Sequence, residues 1–390
     1  DALLAITDVR NSYESDYRKF YNVPTVSLKW RKYLPGAYLK MEYLAWDLNF
    51  SSVISSERLS YMRNNTTQDK KRTSYEFIPS FNFKILPTKK PGEQLNFNLM
   101  YQQGIASMFD LLDYVDDAMP QVVKLGNPRL KGTASTTLSI QFTDWESKHK
   151  GQSYHLQGNF NYYHRQVAQS VVFNPDNSQY TYQPKNVSGA YHASAQFDFT
   201  RFLDKRQRWS WQTTLNADYN HSVDHVLQAG MTESSPNAVN TLTLHDGLWF
   251  QYQHQDLSLK ATGDIRWRHS EGKMRDFTTL NAYDYQYGLA ARYTLPVLKT
   301  TLSVDGNMYS RRGYGSKTLN TDDFVLNASI SQPFLKGKLI ASIEAFDLLH
   351  QLSSTQYAIN AQGRTETWNR SLPNYIMFHV VYHFSRNPQK

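Results

Sequence analysis

The sequence predicts an all-β protein, a transmembrane antiparallel β-barrel traced as an up-and-down meander. Three observations predict it. Apolar and polar residues alternate along many segments, short and long connections alternate between those segments, and the composition favours strands. The 390 residues include 27 Tyr, 20 Phe and 8 Trp, side chains that fit a pleated, half-buried surface. No run of about 18 apolar residues occurs, so no hydrophobic helix crosses a bilayer. A mean hydropathy of −0.61 does not argue against a membrane, because barrel strands alternate lipid-facing and lumen-facing residues.

The alternation is clearest from Leu257 to Arg268. Leu257, Leu259, Ala261, Gly263, Ile265 and Trp267 take one face; Ser258, Lys260, Thr262, Asp264, Arg266 and Arg268 take the other. A period of two means a strand with one apolar and one polar face. The same pattern runs through Trp209–Tyr219, Tyr283–Tyr293, Leu302–Met308 and Ile376–Phe384. About fifteen such strands are expected, or sixteen with a short one at 1–10. They cover 24–33, 38–61, 73–86, 94–105, 132–145, 152–169, 188–202, 208–226, 240–253, 257–270, 281–294, 299–312, 323–333, 338–348 and 373–384.

The connections provide an independent test. Residues 34–37, 87–93, 146–151, 203–207, 254–256, 295–298 and 334–337 are short; 62–72, 106–131, 170–187, 227–239, 271–280, 313–322 and 349–372 are longer. This parity matches short periplasmic turns and longer extracellular loops. It places the C-terminus in the periplasm, after a strand descending from a long loop. Trp30, Trp145, Trp209, Tyr252 and Tyr293 then lie near the short turns, where an aromatic girdle belongs. Asp246 is discordant, because it shares the apolar register of Leu244 and Leu248; a bulge at Gly247 is the expected remedy.

The formal net charge is +8. The basic residues are scattered, with no basic helix and no long Lys/Arg run, so they read as a solvated lumen and headgroup contacts and not as a nucleic-acid surface. The chain has no Cys, which favours an envelope location and excludes thiol catalysis, disulfides and Cys-ligated metals. The start DALLAITDVR carries neither Met nor signal peptide. For an exported protein this reads as a processed end or an internal cut.

The stretch Gly126-Asn127-Pro128-Arg129-Leu130-Lys131, with the strand and long loop before it, resembles a motif of TonB-dependent outer-membrane receptors, in particular the Bacteroidetes outer-membrane β-barrel family of SusC-like relatives. Glu344-Ala345-Phe346-Asp347-Leu348-Leu349 resembles that family's penultimate strand, and Pro373-Asn374-Tyr375 through Tyr382-His383-Phe384 its closing strand. Gly132-Thr133 stand where the family usually has Pro-Glu, and His350 where it has Asn. The resemblance implies a 22-stranded barrel, with residues 1–390 as its C-terminal part and the plug domain and first strands absent. It further implies TonB-dependent nutrient import, a plug and TonB as partners, and a surface lipoprotein as a further one. A passive porin-like channel and a structural or adhesion barrel are the alternatives. An open sheet cannot sit in lipid with unpaired edges, so either further strands complete it or it closes on itself with an even strand count.

Candidate binding residues follow from position. Lys260, Asp264, Arg266 and Arg268 share the lumen face and are expected chiefly to pair with one another, or to meet a plug or an anionic substrate. The loop 106–131 carries Phe109, Leu111, Leu112, Tyr114, Asp113 and Asp116 and is too apolar for a spacer. It is expected to pack inside the mouth, with Ca²⁺ binding by its carboxylates as the alternative. His221, Asp224 and His225 make a weak metal pattern, since Asp224 falls on the opposite face. His379 and His383 share the lumen face of the last strand. No Ser/His/Asp arrangement, paired-carboxylate motif or phosphate loop stands out, so neither an enzyme nor a cofactor is expected. The remaining partners are outer-membrane lipid and lipopolysaccharide.

Overall fold

A computed structural model describes residues 12–33, 42–63, 66–86, 93–144, 151–227, 230–273, 277–315, 320–351, 355–360, 363–368 and 374–384. All fifteen expected strands are present. β1 (Tyr13–Asn22) and β2 (Thr25–Tyr33) fill one position in the wall. Both pair antiparallel with β3 (Glu42–Arg63) in one register, Asn22 opposite Ile54 and Thr25 opposite Ser51. Pro24 interrupts the ladder because it has no N–H to donate, yet its carbonyl still accepts the Ser52 amide at 3.1 Å.

The meander continues through β4 (Thr66–Ile85) and β5 (Glu93–Gln103). A hairpin of β6 (Val115–Met119) and β7 (Val122–Leu125) then leaves the wall, which resumes with β8 (Ala134–Asp144) and β9 (Gln152–Asn174). β10 (Gln179–Val187) folds back on the far end of β9 and also pairs parallel with β7. From β9 the wall passes to β11 (Tyr191–Phe202), β12 (Trp209–Val226), β13 (Ser235–His254), β14 (Leu257–Gly272), β15 (Leu280–Thr294), β16 (Thr301–Arg312), β17 (Asp322–Phe334) and β18 (Leu339–Phe346). A separate hairpin of β19 (Thr355–Asn360) and β20 (Gly363–Trp368) precedes β21 (Tyr375–Tyr382), which pairs with β18.

Cross-strand partners share a face, so the register fixes what points where. Phe197, Leu215, Ile265 and Tyr285 lie in one outward row. Asn216, His245, Arg266, Asp284 and Arg311 lie in the adjacent lumen row. The outward side chains are large, apolar and uncovered: Leu289 is 71% and Ile265 47% exposed. A soluble protein does not display so wide an apolar surface; a lipid-facing wall requires it.

β3, β4, β9 and β13 run for 20 to 23 residues. At about 3.3 Å per residue they greatly exceed the apolar band of about 25 Å and project beyond it at the long-loop end. The rings of Trp209 and Tyr252 pack at a tilt with centroids 4.6 Å apart, with Tyr293 on the same side of the wall, beside the short turns. Trp145 and the expected strand at 1–10 lie outside the described residues. Three of the connections expected as loop hold strands: β6 and β7 in 106–131, β10 in 170–187, and β19 and β20 in 349–372.

The expected bulge at Gly247 is absent. The β12–β13 and β13–β14 registers run unbroken through it, with Asp246 opposite Leu215 and Ile265. Asp246 therefore stays on the apolar face, where its carboxylate accepts the Thr213 hydroxyl at 3.1 Å.

Among the described residues the wall has fifteen positions, and the outer edges of β1–β2 and of β21 have no strand partner. An odd count leaves these two edge strands running the same way. Self-closure with an even count is therefore not what the described wall shows. Antiparallel closure requires an odd number of further strands between the two edges.

Candidate functional site: the lumen wall and the mouth loop

Glycine shapes the lumen wall on β13. Gly247 stands opposite Asp264 and offers no side chain, so the Asp264 carboxylate leans along the wall to His245, with Nε2 and Oδ2 2.5 Å apart. Asn216 donates to Nδ1 of the same ring at 2.9 Å, which leaves the proton on Nε2 for Asp264. The expected pairing of Asp264 with Lys260, Arg266 or Arg268 is therefore replaced by a histidine contact that the register favours. Among the described residues no carboxylate lies within ion-pair distance of Lys260, Arg266 or Arg268. The Lys260 ammonium sits 5.4 Å from the Trp249 ring, a cation–π contact.

Asp284, directly opposite Arg266 and Arg311, is engaged from above. Gly313, at φ +81°, turns the chain after β16 back over the wall, a conformation that favours glycine. This seats Tyr314, 7% exposed, against Leu280 and Ala282. Its hydroxyl donates to both Asp284 oxygens, at 2.7 and 2.9 Å. Burial and the Asp284 carboxylate together push the Tyr314 phenol well above its usual range. Sequence reasoning missed Tyr314; the Gly-Tyr-Gly at 313–315 directly after a strand was the available signal.

Below this band the lumen wall has a hollow of about 440 Å³, lined by Trp249, Lys260, Thr262, Gln286, Asp305 and Asn307. Asp305 accepts the side-chain amides of Asn307 at 3.1 Å and Asn327 at 2.9 Å, so its donors are held in fixed directions.

The mouth loop between β5 and β8 lies against the lumen face of the β3–β4 projection. Leu59, Tyr61, Met108 and Leu112 form a buried cluster, with Phe109, Leu111 and Tyr114 packed on it. Polar groups from the same face grip the loop backbone. Arg72 donates to the Ala106 carbonyl at 2.8 Å, Gln68 to that of Asp113 at 2.7 Å, and Lys70 to that of Leu111. Arg72 also pairs with buried Glu57. Arg63 donates to the Val115 carbonyl at 2.5 Å and meets Asp117 at 3.1 Å and Asp116 at 3.4 Å. The loop carboxylates at 116 and 117 are thus directed to a guanidinium. Asp113 is exposed at the surface of the loop, and burial raises the Asp110 carboxyl above its ordinary value.

The Gly126–Lys131 motif anchors the loop's return. A Cβ at Gly126 would overlap the Leu112 carbonyl oxygen. The Asn127 amide donates to the Pro184 carbonyl at 2.8 Å, while its side-chain oxygen accepts the Arg129 amide at 3.0 Å. Pro128 follows within that tight turn, Leu130 is buried, and Lys131 exchanges backbone hydrogen bonds with the Asn186 side chain at 2.9 and 2.7 Å. The motif clamps the loop to β10, while the side chains of Arg129 and Lys131 stay exposed.

The histidine patterns separate. His221 bonds Asn240 at 2.6 Å and stacks on Tyr191. His225 is half-buried one residue from Asp224. His379 lies 3.5 Å from Glu344. Among the described residues no group of three or more His, Asp or Glu is arranged to hold a metal ion.

A family model described as "Outer membrane protein beta-barrel family" matches residues 39–255. Among curated proteins, none matches this chain significantly. A solved structure of OmpT, an in-vitro folded outer membrane protein of Vibrio cholerae in its trimer form, aligns over 95% of this chain and 98% of that chain, at 9% identity and a TM-score of 0.31. At that score the likeness carries no argument.

Proposed function

Because the chain belongs to the outer membrane protein β-barrel family, we propose that it forms the barrel wall of a TonB-dependent transporter that imports a nutrient into the periplasm. The observation that carries this reading is the mouth loop. There an apolar loop is fastened against the lumen face of the β3–β4 projection by Leu59, Arg63, Lys70 and Arg72, at the long-loop end of the wall. Such an entrance suits a solute captured first and admitted by an energy-driven step. The hollow beside Trp249, with Lys260, Arg266 and Arg268 near it, offers an aromatic face and cations for that solute or for a plug domain.

In this reading an odd number of strands beyond those described completes the wall, a plug occupies the lumen, and TonB and a surface lipoprotein are partners. The long-loop end faces outward and the C-terminus inward. The protein acts as a conduit and not as an enzyme.

Uptake by cells carrying the intact gene tests the proposal. Growth on the transported nutrient must stop when either this gene or tonB is deleted. Uptake that continues without TonB, together with solute-permeable liposomes made from the purified protein, would establish the porin-like alternative.

A further inference from the structure

On the outward face of the β1–β3–β4 projection, Arg18 stands directly opposite Arg58, and Arg58 directly opposite Lys71. Three cations thus occupy neighbouring positions across one row of the ladder. Like charges directly opposite one another destabilise a sheet, so such a row needs an anion. The neighbouring carboxylates supply only part of one. Asp16, two residues along, pairs with Arg18 at 3.0 Å. Asp69 lies in the same outward row as Asp16, but forms no ion pair with Lys71 or Arg58 among the described residues. Arg58 and Lys71 are both exposed.

The height of this row matters. On β3 the outward register climbs from Trp46 through Leu48, Phe50 and Ile54 to Arg58. That is about 40 Å of strand; at the usual tilt of about 40° it is about 30 Å of height, just past an apolar band of about 25 Å. The two outward rows below hold Phe20 with the small polar Ser56 and Thr73, then Ile54 and Tyr75 with Asn22, and their large apolar side chains are open: Phe20 is 85% and Tyr75 71% exposed. The row therefore sits where acyl chains end and headgroups begin.

We propose that Arg18, Arg58 and Lys71 bind the phosphate of a membrane lipid headgroup at the long-loop rim of the barrel, with the acyl chains of the same lipid lying on Phe20, Ile54 and Tyr75. The site is independent of transport and rests only on the barrel's place in a membrane. Apolar contact below and charge above select a lipid phosphate over a free one. Arginine guanidinium groups suit phosphate by presenting donors in a fixed fork.

The test is native mass spectrometry of the full chain in detergent, titrated with bisphosphorylated lipid A and with the same lipid stripped of both phosphates. The wild-type protein is expected to retain the phosphorylated lipid and release the stripped one. Arg58→Ala/Lys71→Ala should weaken retention roughly 10- to 30-fold, the loss of two charges near a charged lipid surface. Arg58→Lys/Lys71→Arg should restore most of it. A charge-matched change at the other end of the wall, Lys205→Ala/Arg206→Ala, should leave it intact, and heat-modifiable migration on gels confirms that each variant folds. Equal retention by Arg58→Ala/Lys71→Ala and wild type would overturn the proposal. So would equal binding of the stripped lipid, or displacement of the lipid by millimolar inorganic phosphate.

Discussion

Leu59, on the lumen face of β3, and Leu112, in the loop between β5 and β8, are both wholly buried and belong to one cluster. This contact joins the projecting hairpin to the loop that packs on its lumen face. Most large apolar side chains of the wall face outward, so burial against protein is concentrated here.

Leu112→Ala should therefore release the loop and spare the wall. Truncating a buried leucine costs about 2–5 kcal/mol, which removes the apolar part of a docking that the hydrogen bonds from Arg63, Gln68, Lys70 and Arg72 otherwise share. Hydrogen exchange should show residues 106–131 losing protection while β11–β15 keep theirs. Uniform loss along the chain would mean that the loop is integral to the wall.

Asn127→Ala tests the clamp. It removes the bonds to the Pro184 carbonyl and the Arg129 amide, each contributing about 1 kcal/mol. Limited proteolysis should cut within 106–131 several-fold faster, with urea unfolding of the barrel unchanged.

Asp110 gives the loop a pH dependence. Burial disfavours its charged form and raises its folded carboxyl above the ordinary 3.8. The folded loop therefore binds a proton more readily than the unfolded one, and its docking strengthens as pH falls through the raised value. Protection of 106–131 should increase on acidification toward that range and decline toward neutrality. Asp110→Asn should remove the dependence and hold the loop docked at neutral pH. A loop that loosens on acidification would contradict this sign.

Much of the wall was legible because a two-residue period has few alternatives: Leu257–Arg268 cannot be amphipathic as a helix. Loop parity added the direction of each strand. The projections were less legible. In β4, Thr66–Thr73 is polar on both faces, so no apolar register marked it as strand; it folds as one by pairing with β3 residue for residue. The site was legible by position and not by contact. Sequence placed Asp264, Arg266 and Arg268 on one face, but Asp264 turned to His245 and Asp284 was taken by Tyr314, residues far away along the chain. Gly247 makes room for the Asp264 carboxylate and does not bend the strand.

Asp246 remains on the apolar face with one hydroxyl partner. An acidic side chain facing lipid costs less than the roughly 2–4 kcal/mol of a basic one. Asp246→Leu should therefore raise stability in liposomes by up to about 2 kcal/mol, read from urea unfolding followed by tryptophan fluorescence. A loss of stability would mean that Asp246 meets a polar partner within the membrane.

The most direct test of the membrane-wall assignment is a cysteine scan of β14, which a chain without native Cys permits. Single cysteines replacing each residue from Leu257 to Arg268 are labelled in lipid vesicles. Labelling is expected to follow a period of two. Positions 257, 259, 261, 265 and 267 should carry probes quenched by lipid-borne nitroxides, and positions 258, 260, 262, 264, 266 and 268 should react with a water-soluble maleimide. Uniform aqueous labelling along the segment, with no lipid quenching at any position, would contradict it.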